Sequence, residues 1–400
     1  MKLTVFKETW LHLVRNTKNR LTIVLVFAAL FAYSVFFLPR MGSFNTIDLE
    51  KLEQSVISNE GIMRTAMESE NFDVNLFTGQ SAYVESKRKL ENNRALLMAI
   101  QNGDALRYRK LTDVYIPDFH FEALQDHAEK NSLFPMKDLG YDLENESNRL
   151  ASYTNSELTF HVIQEKTAAQ QVQKFLHEWG PTILVVLTLF IGADVFVESI
   201  QKRTQRIGVP IGWGNYLFIQ SLAILTFILS FFLVAGVVFY LVNGLLFGFG
   251  SLDWQVPLYT YFEDPELLMD AAGLMAIKTF LIKTLPFLAL VLYLFVRLTA
   301  LFSLFFRQSV VVFVAGIFTL LFERLYFSRT NRDIFGSDIS NFPQTYFDFG
   351  KVISGEKNFL LNTGTVTIEK GLLVLALTVV GVEVLLAVTA YLRSRQRFIG

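Results

Sequence analysis

Four charged residues stand inside otherwise apolar stretches, and their chemistry sets the first question. Asp194 interrupts the run from Pro181 to Val197, Lys283 and Arg297 the run from Leu281 to Phe306, and Glu383 the run from Gly371 to Leu392. A charge in hydrocarbon is costly, so such groups face protein or water, where they pair or line a pathway. Arg297 lies 8 residues from Phe305 and Glu383 lies 9 from Leu392. At ~1.5 Å per residue that is a depth of about 12–14 Å for both. Two readings stand: an ion pair fixing two spans together, or two groups that snorkel or line a cavity separately. Asp194, Glu198 and Lys202 are spaced four apart, which puts them on one helical face. The row runs into Arg203-Thr204-Gln205-Arg206 and then Pro210, with Gln220 in the next apolar run. A short basic segment of this kind suits docking to a partner, and suits an ordinary solvated loop equally.

Other chemistry is thinly represented. No G-x-x-x-x-G-K-[ST] and no H-E-x-x-H occurs, so the chain has no phosphate-cradling loop and no zincin motif. Zero Cys removes disulfides, thiolate metal sites and cysteine nucleophiles together. Asp118, His120, Glu122, Asp126 and His127 cluster, but their spacing reads as a solvated amphipathic face before it reads as a metal site. The expectation is a chain that is not an enzyme and carries no cofactor or metal of its own.

The elements that must position these charges follow from composition. The 400 residues are 52% hydrophobic and 18% charged, with a net charge of −1 and a mean hydropathy of +0.36. An average soluble chain has roughly 25% charged residues. There is no global basic field for a nucleic acid. A spanning helix needs roughly 20 apolar residues. Six runs qualify or nearly so: Leu21–Leu38, Pro181–Val197, Tyr216–Val242, Leu281–Phe306, Ser309–Phe322 and Gly371–Leu392. The fold expected is therefore mainly α, a polytopic membrane protein with six transmembrane helices. Leu21–Leu38 is longer than the usual signal-peptide core and ends in a poor cleavage site, so it reads as an uncleaved span.

Lys and Arg in short loops mark the cytoplasmic side. Residues 1–20 hold Lys2, Lys7, Arg15, Lys18 and Arg20; Lys202, Arg203 and Arg206 lie between the second and third spans; Arg307 lies between the fourth and fifth; Arg393, Arg395 and Arg397 close the chain. These segments alternate with the others, which predicts both termini inside. Leu3, Phe6, Trp10, Leu13 and Val14 recur at helical spacing, so 1–20 reads as a helix in the membrane interface with bases towards anionic headgroups.

Residues 39–179 are then an extracellular domain, with a net charge of −8 over 41–180. Leu49, Leu52, Val56 and Met63 predict one amphipathic helix, and Leu90, Leu97 and Ile100 a second over 83–100. Asn102-Gly103-Asp104 reads as a turn, a third helix is expected near Phe119, and Leu158–Ile163 reads as a short strand. Residues 168–179 read as a helix running into the second span.

Taken together, the pieces resemble the permease subunit of ABC-2 type exporters, the type V transporter fold. The local matches are Phe196-Val197-Glu198 with the polar turn and Pro210, Leu301-Phe302-Ser303-Leu304-Phe305-Phe306-Arg307, and Asn341-Phe342-Pro343-Gln344-Thr345-Tyr346-Phe347 followed by Gly355 and Gly371. The chain departs from the family where Arg203 precedes Thr204, in place of a Gly-Thr pair, and at Gln220, where a Lys is common. The resemblance implies a cytoplasmic coupling segment over 198–214, with Glu198, Lys202, Arg203, Arg206 and Pro210 as its residues. It implies two cytoplasmic ATPase subunits that bring ATP and Mg, a second permease subunit, identical or related, and the bacterial plasma membrane as location. Asp194, Gln220, Arg297 and Glu383 are the candidate intramembrane polar residues. Two other classes compete: a membrane sensor or immunity protein with a ligand-binding outer domain, and an ion-coupled carrier using Asp194, Arg297 and Glu383.

Overall fold

The computed structural model describes residues 2–40, 49–69, 81–114, 139–154, 158–201, 211–261, 272–325, 333–334, 336–361 and 363–397. The chain forms two compact units, Phe36–Thr167 and a membrane-type unit made of Met1–Val35 with Ala168–Gly400.

The membrane-type unit begins with α1 (Lys2–Arg15) and α2 (Thr17–Ala32), which a π-helical turn extends over Tyr33–Phe37. Asn16 breaks the two helices apart. It takes an extended ψ of 121° and caps α2 by accepting from Lys18 N–H. The open carbonyls at the end of α1 are satisfied from α2: Asn19 Nδ2 donates to Leu13 O at 3.1 Å and Arg20 Nε to Val14 O at 2.8 Å. Of the 16 residues of α2, only Asn19 is buried.

After the unit Phe36–Thr167 come α8 (Ala168–His177), α9 (Gly180–Gln201) and α10 (Trp213–Phe247). The last part of the unit holds α11 (Ile277–Phe305), α12 (Ser309–Leu321), the short α13 (Phe349–Ile353) and α14 (Glu356–Leu361), and α15 (Ile368–Arg397). Five helical stretches are long and apolar enough to cross a membrane: Thr17–Phe37, Gly180–Gln201, Trp213–Phe247, Ile277–Phe305 and Ile368–Leu392. The protein is a polytopic helical membrane protein. The expected span at Ser309–Phe322 is helix α12 of 13 residues, about 20 Å at ~1.5 Å per residue. A turn at Glu178-Trp179 separates α8 from α9, so they are not one continuous helix.

Lipid tails offer helices little hydrophobic drive to associate, so close packing and polar contacts must hold them. The core runs along α9 and α11, through Val185, Leu189, Phe196, Phe287, Val291, Phe295 and Leu304. A two-stranded ribbon joins α10 to α11, with β1 (Gln255–Tyr259) antiparallel to β2 (Ala272–Ala276). The segment before α15 folds back as α13 and α14. A Cβ on Gly350 would strike the backbone of Leu176 and His177, so only glycine lets α13 lie against α8.

Gly355 has φ +77° and points its Cα hydrogen at Tyr259 O, in a turn where Tyr259 N–H donates to Ser354 O at 2.7 Å. Gly355→Ala combines a left-handed backbone with a clash against main chain. We expect a loss of about 2–4 kcal/mol, read as a lower melting temperature of the detergent-solubilised protein, with Ser354→Ala costing far less. In the same region Asp338 accepts from Ser340 N–H at 2.8 Å, from the Ser340 hydroxyl and from Thr365 at 3.0 Å. Burial alone would raise its pKa, but these bonds and nearby Lys370 hold it below the usual 3.8. The stability it contributes is present above that unfolded value and is lost as pH falls through the lower folded one. The stability difference between wild type and Asp338→Asn should therefore shrink on acidification below 3.8, as thermal melts across an acid series would show.

The unit Phe36–Thr167 contains α3 (Leu49–Glu68), α4 (Ala82–Gln101), α5 (Ala105–Val114), α6 (Leu139–Ala151) and the single turn α7 (Phe160–Ile163). Helices α3 and α4 pack together, and Asn93 donates to Ser55 at 2.8 Å between them. Gly103 turns the chain at φ +70°. The strand expected at Leu158–Ile163 is a helical turn instead. Thr159 caps it by accepting from Val162 N–H at 3.3 Å, and a side-chain cap outweighs a short alternating pattern. Arg149 is fully buried yet stays charged. Burial lowers its pKa, but Glu146, Tyr153 and Glu165 raise it further. Its guanidinium binds the Glu146 carboxylate and donates to Tyr153 Oη at 2.8 Å. The helix expected near Phe119 and the Asp118–His127 cluster lie outside the described residues.

Candidate functional site

The structure brings Arg297 of α11 and Glu383 of α15 together as a two-pronged pair. Arg297 Nε lies 2.5 Å from Glu383 Oε1 and its Nη2 lies 2.6 Å from Oε2. The fork matches the carboxylate edge, the strongest arrangement open to this pair. Tyr293 sits one turn before Arg297 on the same face and donates its hydroxyl to Glu383 Oε1 at 2.8 Å. The remaining guanidinium arm donates to Ser221 Oγ of α10 at 2.8 Å, and the Phe218 ring lies 5.7 Å from Arg297 Cζ. One charge cluster therefore ties the early turns of α10 to α11 and α15. Arg297 is 4% exposed, whereas the Glu383 side chain is 34% exposed, so the acid forms the accessible rim of the cluster.

Asp194 and Glu198, on the last turns of α9, meet partners from the N-terminal segment. Lys18 Nζ lies 2.5 Å from Asp194 Oδ2 and donates to Phe190 O at 2.7 Å, with the Phe190 ring 3.8 Å away. His12 Nε2 lies 3.2 Å from Glu198 Oε2. Two contacts thus pin α1 and the start of α2 to the end of α9. Gln220, 2% exposed, donates from Nε2 to Ser199 Oγ at 2.5 Å and lies 3.3 Å from Tyr216 Oη, which links α9 to α10 next to Ser221. Lys202, Arg203, Arg206 and Pro210 lie outside the described residues.

Sequence reasoning missed several of these partners. Tyr293 carried a usable signal, since it stands four residues before Arg297 on one helical face. Lys18 and His12 did not, because nothing local couples them to residues more than 170 positions away. Two further pairs lie towards α14: the buried Lys357 Nζ is 2.6 Å from Glu323 Oε1, and Nε2 of the half-buried His177 is 2.9 Å from Oε2 of the buried Glu356. Among the described residues no group of three or more His, Cys, Asp or Glu side chains could hold a metal ion. Comparison with protein-family models, with curated proteins and with solved structures finds no match to this chain.

Proposed function

We propose that the chain is the membrane-spanning permease subunit of an ATP-binding cassette exporter of the ABC-2 type. The observation that carries this reading is the tethering of α1 and the start of α2 to the end of α9, directly ahead of the basic stretch of the segment 198–214. Lys18–Asp194 and His12–Glu198 make the α1–α2 junction and the end of the second span one mechanical piece. A force applied at 202–214 by docked ATPases would move both together. In this reading both termini and 202–214 are cytoplasmic, and the unit Phe36–Thr167 is extracellular. Ser309–Leu325, counting its terminal 3-10 turn, completes six spans at about 27 Å. A second permease subunit, identical or related, supplies the other half of the pathway, and ATP and Mg bind in the partner ATPases.

The Arg297–Glu383 geometry supports this reading over an ion-coupled carrier. Each charge is neutralised by the other at 2.5–2.6 Å, which suits a structural lock better than a proton or cation site. The substrate class favoured by the large outer unit is an amphiphile: a peptide, a drug or a lipid-like molecule. The test is uptake into inside-out vesicles containing the chain and its ATPase, with fluorescent peptide, drug and lipid probes. ATP-dependent accumulation of at least one probe, lost with a non-hydrolysable analogue, is expected. Uptake driven by an ion gradient without ATP would overturn the assignment.

A further inference from the structure

We propose that the groove between α1 and the start of α10 is a binding site for an anionic phospholipid. The groove, of about 300 Å³, is lined by Lys2, Leu3 and Phe6 of α1 and by Asn215, Phe218, Ile219 and Leu222 of α10. Its chemistry is graded along α10. Asn215 stands in the first turn, and Phe218, Ile219 and Leu222 follow deeper into the apolar stretch. The apolar walls are open to the surroundings: Leu3 is 78% exposed, Phe218 46% and Leu222 44%. A soluble ligand would leave these groups in the membrane boundary unsatisfied, whereas an acyl chain covers them.

The polar end fits a phosphate. Among the described residues no carboxylate pairs with Lys2. The N-cap of α10 is Gly212, which offers no side chain to its first-turn N–H groups. That 35-residue helix directs its positive dipole end at the same place. Helix α1 also presents Leu3, Leu11 and Val14 as an exposed apolar stripe distinct from its buried face of Val5, Thr9 and Leu13. Lys7 lies on that stripe, so the helix has a lipid-facing side beside the groove. The site requires only that α2 and α10 span a bilayer and is independent of the transport reading.

Native mass spectrometry of the detergent-solubilised full chain, with equal dioleoyl phosphatidylglycerol and phosphatidylcholine, tests the site. One lysine near a headgroup is worth about 1 kcal/mol, or about fivefold, so wild type should retain the anionic lipid over the zwitterionic one by about that factor. Lys2→Gln should equalise the two lipids, and Leu222→Trp should reduce retention of both by filling the groove. Leu3→Trp, at a highly exposed position, fills the groove from its other wall and serves if Leu222→Trp disturbs folding. Equal retention by wild type would overturn the proposal, as would a preference left unchanged by Lys2→Gln and by both Trp variants. Displacement of the phosphatidylglycerol by inorganic phosphate would also overturn it, because the groove would then hold only an anion. No ATPase is present in this measurement, so its failure and failure of the permease reading are separable.

Discussion

Arg297→Gln and Glu383→Gln should each destabilise the membrane unit by about 3–5 kcal/mol, the cost of leaving one member of a buried pair without its counter-charge. Glu383→Gln leaves the 4% exposed Arg297 only the hydroxyl of Ser221 and the face of Phe218, so it should be the more damaging change. Arg297→Gln leaves Glu383 partly exposed at the rim and still hydrogen-bonded by Tyr293, which puts it at the lower end. The double variant restores neutrality, so it should be closer to wild type than the worse single. Thermal melting in mild detergent and the folded fraction reaching the membrane measure this. A double variant no better than the worse single would remove the case for pairing. Tyr293→Phe deletes one hydrogen bond and should cost only about 1 kcal/mol.

The second large effect is expected at the segment after α9. Replacing Lys202, Arg203 and Arg206 together by Glu should abolish recovery of an ATPase with the chain, and because bases in short loops also set orientation, insertion and the side on which 202–206 lies are measured in the same membranes. Breaking the tether by Lys18→Gln or His12→Gln should act differently. ATPase would still be recovered, but hydrolysis and transport would be uncoupled, since Asp194 would lose its hold on the start of α2 in the first variant and Glu198 its hold on α1 in the second. The chain has no Cys, so a single cysteine placed at Thr204 reports its own accessibility without background. Labelling from the cytoplasmic side alone is expected.

The helices were legible where the physics is one-dimensional. A mostly apolar run long enough for a bilayer needs no tertiary partner to be recognised: α9, α10 and α15 each contain the run expected for them, and α11 contains all of its run but Phe306. The depth match of Arg297 and Glu383 was legible too, because rise per residue is fixed and both helices end at identifiable residues. The choice between pairing and separate snorkelling was not legible, since it depends on rotation about each helix axis and on Ser221 from a third helix. Reading 1–20 as one amphipathic helix put Lys18 on the headgroup face. Asn16 breaks that helix and resets the phase, which swings Lys18 inward to Asp194. Glu323 and Lys357 carried no signal at all, because their contact is made by the folding back of α13 and α14. The coupling role of 198–214 rests on its position in the sequence and on the family resemblance.

If this chain works as the membrane half of an ATP-driven exporter, tagging the full chain, extracting it from its native membrane in mild detergent and identifying what co-purifies should show it. An ATPase with a phosphate-binding loop is expected, in amounts comparable to the chain and lost when Lys202, Arg203 and Arg206 are reversed. Recovery of the folded chain with no ATPase, across several mild detergents, would contradict it.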